Sequence, residues 1–296
     1  MRLRTYAKIN LYLKIVGRRP DGYHDVDTIY HSVSLADEIE VTQRPTAPGL
    51  MFSVSGVRAE PDDLLRFQSD NLVTRAAALL EKRAGAKIRA KVRLHKQIPI
   101  GAGLAGGSAN AAGTLVALNQ LLDLKCTADD LLAIAIELGS DVPFGLVGGT
   151  ARGIGRGEIL APAADPPDLW FVLGISHDPL MTGEVYDKWN EVGDSAAGDS
   201  GNLIEALEDG VIEGIWQAMH NDLASAAVAL RPELEENLET MTSRGALGAI
   251  VCGSGPTVLG LARDLAHARD VAREVSGAFD RVEVVHSVPA GIERLD

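Results

Sequence analysis

The sequence predicts an α+β fold with two domains. Segments with the period of a strand are mixed with helical segments, but the regular strand–helix repeat of a doubly wound sheet is missing. The chain has 296 residues, of which 46% are hydrophobic, and this is enough for about two domains with sizeable cores. The most linker-like stretch is residues 162–170, so we expect an amino-terminal domain over residues 1–160 and a carboxy-terminal domain over residues 161–296.

Three strands are predicted near the amino terminus. Polar and apolar residues alternate over residues 4–15, which is the period of a strand. One face of this strand is apolar, and the other carries Lys8 and Asn10 among its polar side chains. The turn-forming tripeptide Pro-Asp-Gly follows at residues 20–22. Two further strands are predicted at residues 27–35 and 38–43.

The middle of the chain changes period several times. Apolar residues recur at helical spacing over residues 70–83, and strict alternation returns over residues 86–95. A glycine-rich segment, residues 101–107, leads into a predicted helix over residues 108–122. A second helix is predicted over residues 128–138.

The second half mixes the two kinds of element in the same way. Strands are predicted at residues 169–175, 247–252 and 257–262. Helices are predicted at residues 211–229 and 232–243. The last two strands flank a Gly-Ser-Gly turn, a pattern that on its own indicates a hairpin.

The composition excludes several classes of function. The formal net charge of −13 is a poor match to non-specific binding of nucleic acid or of an anionic membrane. Two cysteines cannot form a disulfide framework and fit a reducing compartment. Charges interrupt the amino-terminal apolar run, and no stretch approaches the roughly 18 apolar residues of a membrane span. We therefore expect a cytoplasmic protein that binds neither nucleic acid nor a membrane.

The segment GAGLAGGSANAAG, residues 101–113, is the first functional motif. Its glycines let the backbone come close to a ligand, and the free N–H groups at the start of the next helix favour phosphate. Ser108 offers a hydroxyl that either caps this helix or faces a metal ion. Gly101, Gly103 and Gly106 also match the dinucleotide fingerprint, but the strand that should follow with an acidic residue is missing. The motif favours phosphate binding over a dinucleotide site or a plain turn.

The segment LGSDVPFGLVGG, residues 138–149, places Asp141 between a predicted helix end and Pro143. A carboxylate in this position is either a cap or turn residue or a catalytic base. The residues alone leave both interpretations open.

Taken together, the motifs resemble the GHMP kinase superfamily. The resemblance is carried by AKINLYLKIVGRRPDGYH (residues 7–24), KQIPIGAGLAGGSANAA (96–112), LGSDVPF (138–144) and CGSGPTV (252–258). It extends along nearly the whole chain. Two residues depart from the pattern, Ala105 where many members have glycine and Pro256 where many have a small residue. The fold that this resemblance implies has two α+β domains with the active site in the cleft between them.

The resemblance implies an ATP-dependent small-molecule kinase. Within the superfamily, AKINL and PDGYH are similar to members that phosphorylate the 2-hydroxyl of a cytidine-diphosphate-linked polyol, in the non-mevalonate route to isoprenoid precursors. The implied cofactors are ATP and Mg²⁺, with Ser108 as the candidate ligand of the metal. Two alternatives stay open: a GHMP kinase for another small alcohol, and a catalytically silent relative that binds nucleotide.

The resemblance also implies roles for individual residues. Asp141 would be the base for the acceptor hydroxyl, and Lys8 its cationic neighbour, which offsets charge in a loose phosphoryl transition state. Tyr23 would stack on the cytosine and His24 would bind its edge. The remaining implied substrate contacts are Asn10, Asp141 and Tyr186. The implied nucleotide-binding residues are Asn71, Lys96, Pro99, Gly101, Gly103, Leu104, Gly106, Gly107 and Ser108.

Overall fold

The computed structural model describes residues 1–46, 49–56, 71–163, 168–176, 178–195 and 198–296. The strands in these ranges are β1 (Arg2–Arg18), β2 (His24–Gln43), β3 (Leu50–Ser55), β4 (Ala90–His95), β5 (Thr150–Ile154), β6 (Ile159–Pro162), β7 (Trp170–Ile175), β8 (His220–Asn221), β9 (Gly248–Val251), β10 (Val258–Ala262), β11 (Arg281–His286) and β12 (Ile292–Arg294). The helices are α1 (Leu72–Ala84), α2 (Gly106–Leu121), α3 (Ala128–Leu138), α4 (Val142–Val147), α5 (Thr182–Val192), α6 (Gly201–Asp209), α7 (Ile212–Ala218), α8 (Ala224–Leu230), α9 (Glu233–Ser243) and α10 (Leu265–Val275).

The strands form two sheets. The larger sheet has the order β12–β1–β2–β4–β3, with β5 and β6 attached through β2 and with β8 paired to β1. The smaller sheet has the order β11–β7–β10–β9, and all its pairs are antiparallel. Helices and strands do not alternate regularly, so the predicted α+β class is confirmed.

The longest strands, β1 and β2, are antiparallel partners along most of their length. The prediction of separate strands at residues 27–35 and 38–43 is wrong, because both lie in β2. The pairing register with β1 shifts between Val33 and Ala36. A β-bulge at this point accommodates the extra residues, so the strand continues without a break.

Three predicted helices of the first half are confirmed as α1, α2 and α3. The predicted first residue of α1, Asp70, lies outside the described residues. Helix α2 is rich in small residues and packs against α1, α4 and both long strands. This packing fixes the position of the amino terminus of α2, which begins where the glycine-rich segment ends.

The single helix predicted over residues 211–229 is wrong. Helices α7 and α8 are separated there by β8, which pairs in parallel with β1. The side chain of Asn221 donates hydrogen bonds to the carbonyl oxygens of Val251 (2.7 Å) and Gly253 (2.8 Å). These contacts to the sheets replace the helical hydrogen bonds that the local pattern favours.

In the second half, the strand predicted at residues 169–175 and the helix predicted at residues 232–243 are confirmed as β7 and α9. The predicted hairpin is confirmed as β9 and β10. The sequence patterns predict no element for several short or edge segments, namely β3, β5, β6, α5, α6, α10, β11 and β12.

The core is continuous between the two sheets. Ile9 and Leu11 of β1 share one apolar cluster with Phe171 of β7 and Leu259 of β10. The predicted boundary at residues 162–170 falls partly on residues 164–167, outside the described residues, and it stays a prediction. Within the described part of the chain, none of the helices has the length and apolar character of a membrane span.

Candidate active site

A cavity of about 830 Å³ lies among β1, the glycine-rich segment, α5 and the turn between β9 and β10. Its wall includes most of the predicted site residues: Lys8, Asn10, Tyr23, His24, Lys96, Pro99, Gly101, Gly103, Gly106, Gly107, Ser108, Asp141 and Tyr186. Two other predicted site residues, Asn71 and Leu104, are described by the structure but do not line the cavity. Both halves of the chain contribute, as expected for an active site in a cleft.

Lys8 and Asp141 meet in this cavity. The Lys8 Nζ lies 3.6 Å from Asp141 Oδ2. The same ammonium donates to Asn10 Oδ1 at 2.7 Å, and Asn10 donates in turn to Thr28 Oγ1 at 2.8 Å. The side chains of Lys8, Asn10 and Thr28, which these hydrogen bonds connect, are all buried. The part of the polar face of β1 that carries Lys8 and Asn10 is therefore a wall of the cavity, whereas Arg4 on the same face is exposed.

The carboxylate of Asp141 is not used as a helix cap. Asp141 precedes α4 in the capping position, but its side chain makes no capping hydrogen bond. Instead Oδ1 accepts a hydrogen bond from the Tyr30 hydroxyl at 3.1 Å. Burial and the nearby Asp141 hold the pKa of Tyr30 well above its ordinary value, so this hydroxyl stays a donor. The carboxylate is thus oriented by Tyr30 and faces Lys8.

The glycine-rich segment packs closely against the turn between β9 and β10. Gly103 has a positive φ of 76°, and a Cβ at this position would collide with the carbonyl oxygen of Cys252. The carbonyl of Leu104 accepts from the Lys8 backbone N–H at 3.2 Å, which ties the segment to β1. Leu104 therefore acts here through its backbone, while its side chain belongs to the core.

The amino terminus of α2 opens on the cavity. Ala105 precedes the helix with a φ of 53° and makes no side-chain capping bond. This left-handed conformation favours glycine, the residue that the family resemblance predicts at this position. Gly106, Gly107 and Ser108 form the first turn, whose N–H groups have no partner within an α-helix. Such a terminus favours a phosphate group.

Two of the predicted nucleotide-binding residues, Lys96 and Asn71, make structural contacts within the protein. Lys96 is buried, and its ammonium contacts Asp37 and, at 3.1 Å, Asn110 Oδ1. Asn71 caps α1, because its Oδ1 accepts from the Val73 N–H at 2.8 Å. Lys96 still reaches the cavity wall, whereas Asn71 does not. Contact of either residue with a nucleotide stays a prediction.

The rings of Tyr23, His24 and Tyr186 lie at one side of the cavity. The ring of His24 stacks on Tyr186, with centroids 5.0 Å apart. Tyr23 is 56% exposed on the turn before β2, and the Arg156 guanidinium lies 5.2 Å from its ring centroid. Burial, with a smaller contribution from Asp141, raises the pKa of Tyr186 above its ordinary value. These rings provide stacking surfaces for a planar group.

Several residues of the site were not predicted. Tyr30 orients Asp141, and Arg156 covers the ring of Tyr23. Thr182 and Ser254 line the cavity and have their hydroxyl oxygens 3.2 Å apart. Tyr30 follows Thr28 at the period of a strand, which is the only local signal that it shares a face with the site. Arg156 and Thr182 lie in segments without any pattern that points to the cavity.

Comparison with known proteins agrees with this geometry. Models of the GHMP kinases match the chain twice, for the amino-terminal domain over residues 71–149 and for the carboxy-terminal domain over residues 203–281. The chain is 41% identical over 290 residues to 4-diphosphocytidyl-2-C-methyl-D-erythritol kinase of a Nocardioides species, covering 97% of each chain. It is 41% identical over 281 residues to the kinase of that name from Salinispora arenicola, covering 93% of this chain and 87% of the relative.

Among solved structures, a crystal structure of 4-(cytidine 5'-diphospho)-2C-methyl-D-erythritol kinase is similar, with a TM-score of 0.80 and 33% identity. The match covers 97% of this chain and 100% of the other. Sequence and fold agree over nearly the whole length. The chain therefore belongs to the 4-diphosphocytidyl-2-C-methyl-D-erythritol kinase family of the GHMP kinases.

Proposed function

We propose that this chain uses ATP to phosphorylate the 2-hydroxyl group of 4-diphosphocytidyl-2-C-methyl-D-erythritol, a step of the non-mevalonate route to isoprenoid precursors. The observation that carries the proposal is the Lys8–Asp141 pair, 3.6 Å apart, in one cavity with both the glycine-rich segment and the aromatic rings. The relatives with this name share about two-fifths of its residues over nearly the full chain.

In the proposed reaction, the 2-hydroxyl oxygen attacks the γ-phosphorus of ATP. The bond between that phosphorus and the bridging oxygen breaks, and ADP leaves with the electron pair. The proton of the hydroxyl passes to Asp141, and Lys8 offsets the negative charge of the transferring group. The first turn of α2 binds the phosphates through its N–H groups.

Mg²⁺ is the expected partner of ATP. Ser108, half-buried in the cavity wall, is the candidate ligand. In the described ranges, no group of three or more His, Cys, Asp or Glu side chains is placed to hold a metal ion. This suits Mg²⁺, because it keeps several waters and binds mainly through the phosphates of its nucleotide. When bound, the ion would neutralise phosphate charge, and Ser108 would orient it.

The aromatic side of the cavity is proposed to bind the cytosine base. Tyr23 would stack on the base, and His24 would contact its edge. Tyr186 stacks on His24, so the remaining surface of its ring would contact the base on the side opposite Tyr23. Asn10, held between Lys8 and Thr28, would contact the polyol beside Asp141. The distance from the base to the reacting hydroxyl is then spanned by the diphosphate of the substrate.

A coupled assay of ADP release tests the proposal against its alternatives. The panel contains the cytidyl substrate, its uridyl analogue, mevalonate, homoserine and galactose. We expect turnover of the cytidyl substrate far above all others, with a new phosphate ester on the 2-hydroxyl by ³¹P NMR. Preference for another alcohol would assign a different kinase, and absence of turnover with retained ATP binding would indicate a silent relative.

A further inference from the structure

Helix α5 presents three side chains to the imidazole ring of His24. Tyr186, Trp189 and Asn190 have the i, i+3, i+4 spacing that places residues on one helix face. Tyr186 stacks on the ring with an interplanar angle of 28°, and Trp189 meets it edge-on at 5.7 Å. Asn190 Oδ1 lies 2.8 Å from His24 Nε2. The ring is only 6% exposed, so its orientation is held from three directions.

The contact with Asn190 determines which ring nitrogen carries the proton. An amide oxygen can only accept a hydrogen bond, so Nε2 must be the donor. In a neutral imidazole the other nitrogen, Nδ1, then has the free lone pair. His24 also forms part of the cavity wall. With Nε2 bound to Asn190, Nδ1 is the remaining hydrogen-bonding nitrogen of the ring, and it is an acceptor.

We propose that Asn190 is a positioning residue that makes the enzyme selective for cytosine over uracil. The proposal rests on the proposed function, which brings the base to His24. The 4-amino group of cytosine donates to the acceptor Nδ1, whereas the 4-carbonyl of uracil would place two acceptors against each other. Without the acceptor of Asn190, the ring can adopt the opposite tautomer, which donates at Nδ1 and tolerates uracil.

Steady-state kinetics with the cytidyl and uridyl substrates tests this role. Asn190→Leu removes the acceptor at similar volume, and Asn190→Gln retains a neutral amide acceptor, whereas a carboxylate here would favour an imidazolium that donates at both nitrogens. Glu191→Leu introduces the same side chain at the neighbouring, exposed position of α5 and serves as the control. Asn190→Leu should lower the ratio of kcat/KM for cytidyl over uridyl substrate by at least about tenfold. The change should lie in KM for the cytidyl substrate, with KM for ATP unchanged.

Two variants that keep an acceptor at position 190 show what is expected when the orientation of His24 is retained. Asn190→Gln and Glu191→Leu should keep the wild-type ratio. An unchanged ratio in Asn190→Leu, or an equal loss in Asn190→Gln, would overturn the role of Asn190. Failure of the wild type to prefer the cytidyl substrate would instead overturn the proposed function.

A direct measurement of the tautomer does not depend on a variant of Asn190 folding well. Long-range ¹H–¹⁵N NMR of the full chain separates protonated from lone-pair imidazole nitrogens, and a His24→Gln spectrum assigns the signals. We expect a protonated Nε2 and a lone pair on Nδ1. The reverse pattern, or a mixture of both, would contradict the proposal.

Discussion

The carboxylate of Asp141 has two partners that distinguish a catalytic group from a helix cap. The residue stands before α4, where an aspartate usually bonds to the helix backbone, yet its oxygens face Tyr30 and Lys8. Tyr30 fixes the orientation of the carboxylate, and Lys8 places a positive charge beside it. This pair of contacts is why we assign Asp141 to proton transfer.

The first prediction concerns this pair. Asp141→Asn keeps an oxygen for Tyr30 but cannot take a proton, so kcat should fall at least about a hundredfold while the fold is retained. Lys8→Ala should act similarly through lost charge stabilisation. Kinetics with the cytidyl substrate, with MgATP-induced thermal stabilisation as the binding check, measures both. Asp270→Asn, at an exposed position, is the control. Near-wild-type turnover of both variants would refute the assignment.

A second prediction at this scale concerns Tyr23, whose ring is exposed but lies under the guanidinium of Arg156. If the ring stacks on cytosine, Tyr23→Ala should cost about 1–3 kcal/mol of substrate binding. The loss should lie mainly in KM, because the base is remote from the reacting oxygen. Tyr23→Phe keeps the stacking surface and should remain close to wild type. An equal loss in both variants, or a loss confined to kcat, would exclude stacking.

At the scale of elements, the glycine-rich segment and the β9–β10 turn act as one unit. Gly103 approaches the carbonyl oxygen of Cys252 so closely that no side chain can be placed between them. The side chain of Asn221 also donates a hydrogen bond to this turn, at the carbonyl oxygen of Gly253. The position of the glycine-rich segment therefore depends on a contact between segments from opposite halves of the chain.

The third prediction follows from this contact. Gly103→Ala should displace the segment, because its Cβ would collide with backbone and its φ of 76° is unfavourable for alanine. Stabilisation by MgATP in a thermal-shift experiment should be lost. Gly277→Ala, where a Cβ meets open space, is the control for a glycine-to-alanine change. Undiminished stabilisation in Gly103→Ala would show that the close contact is not needed for binding.

At the scale of the whole molecule, His31 connects the two sheets. Its Nδ1 is 2.9 Å from the Thr150 hydroxyl and its Nε2 is 2.8 Å from that of Ser287, while Phe171 of β7 meets its ring. Complete burial lowers its pKa from 6.5 to about 4. The folded protein therefore holds this imidazole neutral in a pH range where an unfolded chain would protonate it.

The fourth prediction is the resulting pH dependence of stability. Between about pH 6.5 and 4 the unfolded state binds the extra proton, so the free energy of unfolding falls as the pH falls. From pH 7.5 to pH 5 this contribution is up to about 2 kcal/mol. Urea unfolding should show a steeper loss for wild type than for His31→Gln, whose amide can bond both hydroxyls but does not titrate. Equal pH dependence in the two proteins would contradict the prediction.

Sequence patterns were sufficient to predict the α+β class, strand β1, the glycine-rich segment with its helix, and the hairpin that follows residue 247. These features depend on local periodicity and on glycine chemistry, which a single segment expresses on its own. The family resemblance rests on the same motifs, and it named Lys8, Asp141 and His24 as site residues. It also implied that Lys8 lies beside Asp141, but it did not indicate the contacts that Tyr30 and Asn190 make with the site.

Two contacts that define the geometry of the site are visible in the folded chain alone. The contacts of Tyr30 with Asp141 and of Asn190 with His24 join segments far apart in the chain, and no local pattern marks either partner. Residues 211–229 form two helices because β8 pairs with β1 and its Asn221 side chain donates to the carbonyl of Val251, and these bonds outweigh the local helical preference. Long-range hydrogen bonds and packing are properties of the folded chain, so they determine the site beyond what the motifs specify.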